Sequence, residues 1–217
     1  MRFSSNTFFL CSDSSAEGGI VLREVGPVAA NATAMKNDID AMNAAGCTPL
    51  SETMYEAYLY LSGARVDYGI NSRSSPSTPL PSVLSSREPA PNTNQYQSPL
   101  QTSCQKNFIV LLTDGIPTAD NSADPEIQAL IGGSCAGTGS GRCLEEVARY
   151  MYENDLRPSL AGLQNVTTYT IGFGPEVSGS TALRNTAAGA GGVFYEASDT
   201  ATLSTVLTNI VRTILDF

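Results

Sequence analysis

Phe108-Ile109-Val110-Leu111-Leu112-Thr113-Asp114-Gly115 decides the fold. Five consecutive apolar residues, two of them β-branched, form a run too short for a helix and too uniformly apolar for a strand with one wet face. It reads as a strand buried on both sides, which is the pattern of a parallel sheet covered by helices. The run ends on a hydroxyl, a carboxylate and a glycine, the chemistry of a sharp turn. In an open α/β sheet, the carboxyl ends of the strands are where ligands are held, so Asp114 is the first candidate for function.

Working outward, strand-like runs occur at Thr7 to Cys11, Ile20 to Val25, Thr167 to Phe173 and Val193 to Glu196. Ser12 to Gly19 is turn chemistry and predicts an antiparallel hairpin between the first two runs. Helices are expected over Asn31 to Ala45, ending at Gly46, and over Leu50 to Ser62, with Pro49 at its start and Met54, Ala57, Tyr58 and Leu61 on one face. Two more are marked by Leu144, Val147, Ala148 and Met151 and by Leu203, Val206, Leu207, Ile210 and Ile214, the latter with Ser198 or Asp199 as cap. The expected fold class is α/β, a doubly wound, mostly parallel sheet with helices on both faces, formed by residues 1–217 as one domain.

Residues 71–103 interrupt this alternation. Five of the chain's twelve prolines fall between Pro76 and Pro91, among serines and threonines. The stretch is expected to be an exposed, mobile insertion, dispensable for folding, because it offers little apolar surface to bury.

Composition removes whole classes of function. The chain has no histidine, so Ser-His-Asp and Cys-His catalysis and imidazole metal ligands are excluded. Its net charge of −9 repels phosphate backbones, so nucleic acid is not expected as a partner. No run reaches the eighteen apolar residues of a membrane span, and Phe8 to Leu10 is too short for the core of a signal peptide. Of five cysteines, Cys135 and Cys143 bracket a flexible glycine-rich loop and are expected to form a disulfide, which points to the periplasm or the cell exterior. Cys47 is read as a small buried hydrophobe rather than a redox thiol. Cys104 is not expected to pair with it, being at the other end of a strand.

Gly46-Cys47-Thr48-Pro49-Leu50-Ser51-Glu52-Thr53 places a threonine hydroxyl where a helix begins, as a ligand or as an ordinary N-cap. With Thr170-Ile171-Gly172-Phe173-Gly174 and the strand ending in Asp114, these stretches resemble the von Willebrand factor A (VWA) family, and within it the VWA domain of PilY-like type IV pilus adhesins. The resemblance implies a metal-ion-dependent adhesion site with Thr48 and Asp114 as ligands. It also implies an Asp-x-Ser-x-Ser segment that Asp13 to Glu17 does not supply, so the first strand and helix are expected upstream of Met1 or absent. The separation of the two ligands, 114 − 48 = 66 positions, is accounted for by the insertion.

Hydroxyl and carboxylate oxygens would select Mg²⁺, Ca²⁺ or Mn²⁺, bound weakly or not at all by this segment alone. Asp120 and Asp124 are expected to be solvated loop acids, and Gly137 to Gly141 lacks the glycine spacing of a phosphate loop. The implied function is a non-enzymatic binding module at the cell surface or pilus tip, serving attachment, pilus biogenesis or surface sensing. Its partners would be a protein or a host or abiotic surface, minor pilins, and the remainder of a larger adhesin. A VWA module of an intracellular ATP-driven chelatase or AAA-type complex is the first alternative, and a metal-assisted hydrolase the second.

Overall fold

In a computed structural model, the described residues are 2–3, 18–41, 47–70, 73–75, 78–79, 81–103 and 105–216. They form, in order, β1 (Arg2–Phe3), β2 (Gly19–Ile20), α1 (Val28–Asp40), α2 (Leu50–Ser62), β3 (Arg73–Ser75), β4 (Thr78–Pro79), β5 (Asn107–Thr113), α3 (Asp124–Ile131), α4 (Leu144–Glu153), β6 (Val166–Phe173), α5 (Thr181–Gly189), β7 (Phe194–Ala197) and α6 (Thr200–Leu215). The chain divides into two compact units: residues 1–101 with 117–125, and residues 102–116 with 126–217.

The second unit is an α/β layer. Strands β5, β6 and β7 pair in that order, all parallel, with Val110 opposite Tyr169 and Leu112 opposite Ile171. Alternation along β6 sends Tyr169 and Ile171 to one face, where Val206 and Ile210 of α6 close a core with Ala197. Thr168 and Thr170 go to the other face, and the Thr170 hydroxyl donates to the Leu183 carbonyl of α5 at 2.8 Å. Helices therefore lie on both faces, as the alternating pattern predicts. Asp199 caps α6 by accepting from Thr202 N at 2.8 Å, and this bond holds its carboxyl below the usual range.

The Phe108–Leu112 run differs from expectation in one respect. Among the described residues β5 is the end strand of its sheet, and Val110 and Leu112 each remain 38% exposed on the face that α6 covers over β6 and β7. Only Leu111 and Thr113 of β5 are buried.

In the first unit the antiparallel pairing near the start joins Arg2–Phe3 to Gly19–Ile20, and β2 stops at Ile20 rather than at Val25. The expected strand Thr7 to Cys11 lies outside the described residues. Helix α1 begins at Val28, three residues before the expected Asn31, and ends at Asp40; Gly46 is outside the described residues. An Arg23–Asp38 ion pair of 2.8 Å ties α1 down, and its apolar Val28, Met35 and Ile39 face outward. Helix α2 has the expected bounds and ends on Gly63 at φ 74°, the left-handed cap that glycine adopts without strain. It is buried around most of its circumference rather than along one face.

That burial comes in part from residues expected to be exposed. Tyr96 is 1% exposed and joins Val21, Leu59, Tyr60 and Val66 in the core of the first unit. Backbone bonds stitch the segment in place, with Tyr96 N donating to Ala64 O at 2.9 Å and Val83 N to Val21 O at 2.9 Å. Leu100, Ser82, Ser86 and Ser98 are buried as well. The exposed insertion expected over 71–103 is therefore corrected at Ser82, Ser86, Arg87, Tyr96, Ser98 and Leu100, which are buried, while the other residues of 81–101 are exposed or half-buried: serine and proline there serve turns that carry one aromatic anchor, and composition alone hid it.

Candidate functional site

Asp114 lies at the carboxyl end of β5, and its turn is closed by its neighbours. The Thr113 hydroxyl donates to Gly115 O at 2.8 Å and accepts from Gly115 N at 3.2 Å. The turn leaves Asp114 exposed beyond the last buried strand residue, where a soluble ion or a partner can reach its carboxylate. The sequence-derived placement is correct on both counts, strand end and accessibility.

Thr48 belongs to the first unit. Its backbone forms an isolated bridge with Thr118: Thr48 N donates to Thr118 Oγ1 at 2.9 Å, and Thr118 N donates to Thr48 O at 3.3 Å. Thr48 is not the N-cap of α2. That position is held by Pro49, whose side chain offers no acceptor. The four leading amides of the helix go elsewhere: Leu50 N to Thr48 O, Thr53 N to Pro49 O, Ser51 N to Asp120 Oδ2 at 2.8 Å and Glu52 N to Asp120 Oδ1 at 3.1 Å.

Asp120 and Asp124, expected to be solvated, are 0% and 2% exposed. Burial pushes the Asp120 carboxyl up to about 7 against the backbone donors that favour its charged form, with the nearby Asp124 charge adding to the rise. Glu52 Oε1 accepts from Ser122 N at 3.0 Å and from the Ser122 hydroxyl, which also meets Tyr68 Oη at 2.6 Å. Residues 118 to 122 thus form a clasp over the start of α2. Nothing in the hydrophilic string Thr118-Ala119-Asp120-Asn121-Ser122 announces this, because its burial is created by a helix distant in sequence.

Another buried carboxylate, Glu56, stands one turn beyond Glu52 along α2. It accepts from Tyr68 N and Gly69 N at 3.0 Å each, from Asp67 N at 3.3 Å and from Tyr96 Oη at 2.5 Å. Burial pushes it up to about 7, opposed by these donors. Gly69 has to be glycine: a Cβ there would sit 2.2 Å from Tyr96 Oη and 2.7 Å from Glu56 Oε1. Arg87 donates to Gly69 O and Ser82 O beside it.

Cys135 and Cys143 are joined, with Cα atoms 5.1 Å apart, as expected. Cys47 is not the free buried thiol expected; it is 8% exposed and disulfide-bonded. The expectation that it does not pair with Cys104 lies outside the described residues. Among the described residues no group of three or more Asp, Glu or Cys side chains is arranged to hold a metal ion. Asp114 in the second unit offers a reachable hard oxygen, and Thr48 in the first unit a hydroxyl, each of the chemistry that suits Mg²⁺, Ca²⁺ or Mn²⁺. No described helix is long and apolar enough to cross a membrane. No protein-family model, no curated protein and no solved structure matches the chain.

Proposed function

We propose that the chain is a cell-surface binding module of a type IV pilus-associated adhesin, VWA-like, acting in attachment, pilus biogenesis or surface sensing. Its candidate ligands for a divalent cation are Asp114 and Thr48. The observation that carries this reading is the exposed Asp114 carboxylate on a hydroxyl-closed turn at the carboxyl end of a parallel strand. The disulfides favour an exported protein over a module of an intracellular chelatase. The absence of histidine argues against hydrolysis.

Asp114 supplies one negatively charged oxygen and Thr48 one neutral oxygen. The remaining positions fall to water, to an Asp-x-Ser-x-Ser segment and to a carboxylate of the bound partner, which the cation would bridge. Partners in this reading are a protein or a surface, minor pilins and the rest of a larger adhesin.

The test is calorimetry with Mg²⁺ and Ca²⁺ on this chain and on a longer protein carrying an Asp-x-Ser-x-Ser segment. Binding too weak to give more than negligible heat is expected in the first and measurable affinity in the second. Asp114→Ala should abolish that affinity and leave thermal stability within about 0.5 kcal/mol, since the side chain is exposed. Unchanged affinity in Asp114→Ala would refute the site.

A further inference from the structure

The start of α2 is built in an expensive way. A serine, threonine or aspartate at position 49 would cap the helix locally; a proline stands there, and the acceptor comes from Asp120, 69 positions beyond Ser51. Burying that carboxylate completely, near a second one at Asp124, costs solvation that a surface cap would not lose. In return, the segment after Asp114 holds the Thr48 loop at two levels. Thr118 brackets the Thr48 backbone from both its N–H and its carbonyl, and Asp120 takes the Ser51 and Glu52 amides, one on each oxygen. Ser122 adds a third tie through Glu52. A local cap would stabilise the helix equally well without fixing the residue that precedes Pro49.

We propose that Asp120 is a positioning residue for Thr48: by taking both first-turn amides it fixes where α2 begins, and with Thr118 it sets where the Thr48 hydroxyl is presented for ligation. The use of Thr48 as a cation ligand rests on the function proposed above; the positioning of the loop does not. The carboxylate is required rather than its amide. Asparagine has one acceptor oxygen, so its NH₂ group would face one of the two donors and leave that amide unpaired.

The experiment is NMR on the ¹⁵N-labelled chain, wild type and two variants, Asp120→Asn and Thr118→Val, each first checked for a cooperative melt. In metal-free protein, Asp120→Asn should accelerate exchange of the Ser51 or Glu52 amide at least tenfold. Thr118→Val should do the same for Thr48, whose N–H loses its acceptor. Exchange unchanged in both variants overturns the positioning role, whatever the chain binds.

Mn²⁺ alone is then added as a paramagnetic probe sensitive to weak binding. In the wild type, broadening should centre on Thr48 and Asp114. In Asp120→Asn the Mn²⁺ needed to broaden Thr48 should rise at least tenfold. An unchanged Thr48 response overturns the assignment, because Asp120 would then act on nothing. Broadening at neither residue in the wild type, with amide exchange altered as expected, sinks the cation reading of Thr48 and leaves the clasp itself standing.

Discussion

Glu56 gathers four hydrogen-bond donors on one buried carboxylate of the first unit. Three amides of the turn at Asp67 to Gly69 and the Tyr96 hydroxyl converge on its two oxygens. Glu56→Ala should therefore cost on the order of 3–5 kcal/mol in urea unfolding, since buried donors lose their acceptor along with the packing. Tyr96→Phe, which removes one donor and keeps the ring in its core, should cost about 1–2 kcal/mol. Equal losses in the two variants would show that the Tyr96 hydroxyl bond alone, and not the three backbone amides, accounts for what Glu56 holds. At this scale the sequence was legible where chemistry coincides with an element's end, as at Asp114. It was illegible at Glu56, Asp120 and Asp124, since a carboxylate in a polar string carries no local mark of the distant residues that will bury it.

Elements were legible where period or length is unambiguous. Leu144, Val147, Ala148 and Met151 lie buried along α4, and β5, β6 and β7 fall within a residue or so of their expected bounds. Helices α3 and α5 carry no such stripe and were not anticipated. Residues 81–101 misled because one aromatic, Tyr96, outweighs many serines once its ring enters a core. Removing Ser74 to Thr93 takes away Ser82, Ser86 and Arg87, and should lower the thermal midpoint by several degrees or abolish cooperative folding; an unchanged melt would mean the segment is passive after all. The Cys135–Cys143 link closes a short loop and should contribute about 2–3 kcal/mol, so selectively reduced protein should still fold, with a lower midpoint.

For the molecule as a whole, Glu56 and Asp120 set a pH dependence. Each is held at about 7, above the ordinary values of 4.5 and 3.8 for glutamate and aspartate. Between those values the folded chain retains protons that the unfolded chain has lost, so this contribution is present at acid pH and is lost as pH rises through about 7. Urea midpoints should therefore fall from pH 5.5 to pH 8, the unfolding free energy dropping by at most about 2 kcal/mol per group. A higher midpoint at pH 8 would contradict the burial of both acids. Cysteine chemistry is another whole-chain property: five residues less the four in two disulfides leave 5 − 4 = 1, so exported, denatured protein should titrate one free thiol, whereas five would support an intracellular module. The division of the chain into units also bears on how its gene can be cut. Residues 117–125 belong with 1–101 although the strand ending in Asp114 comes between them in sequence. A stop codon after residue 101 would thus yield a half lacking Thr118, Asp120 and Ser122, with the first turn of α2 left open. The peptide 117–125, supplied separately, is the smallest piece that could complement it.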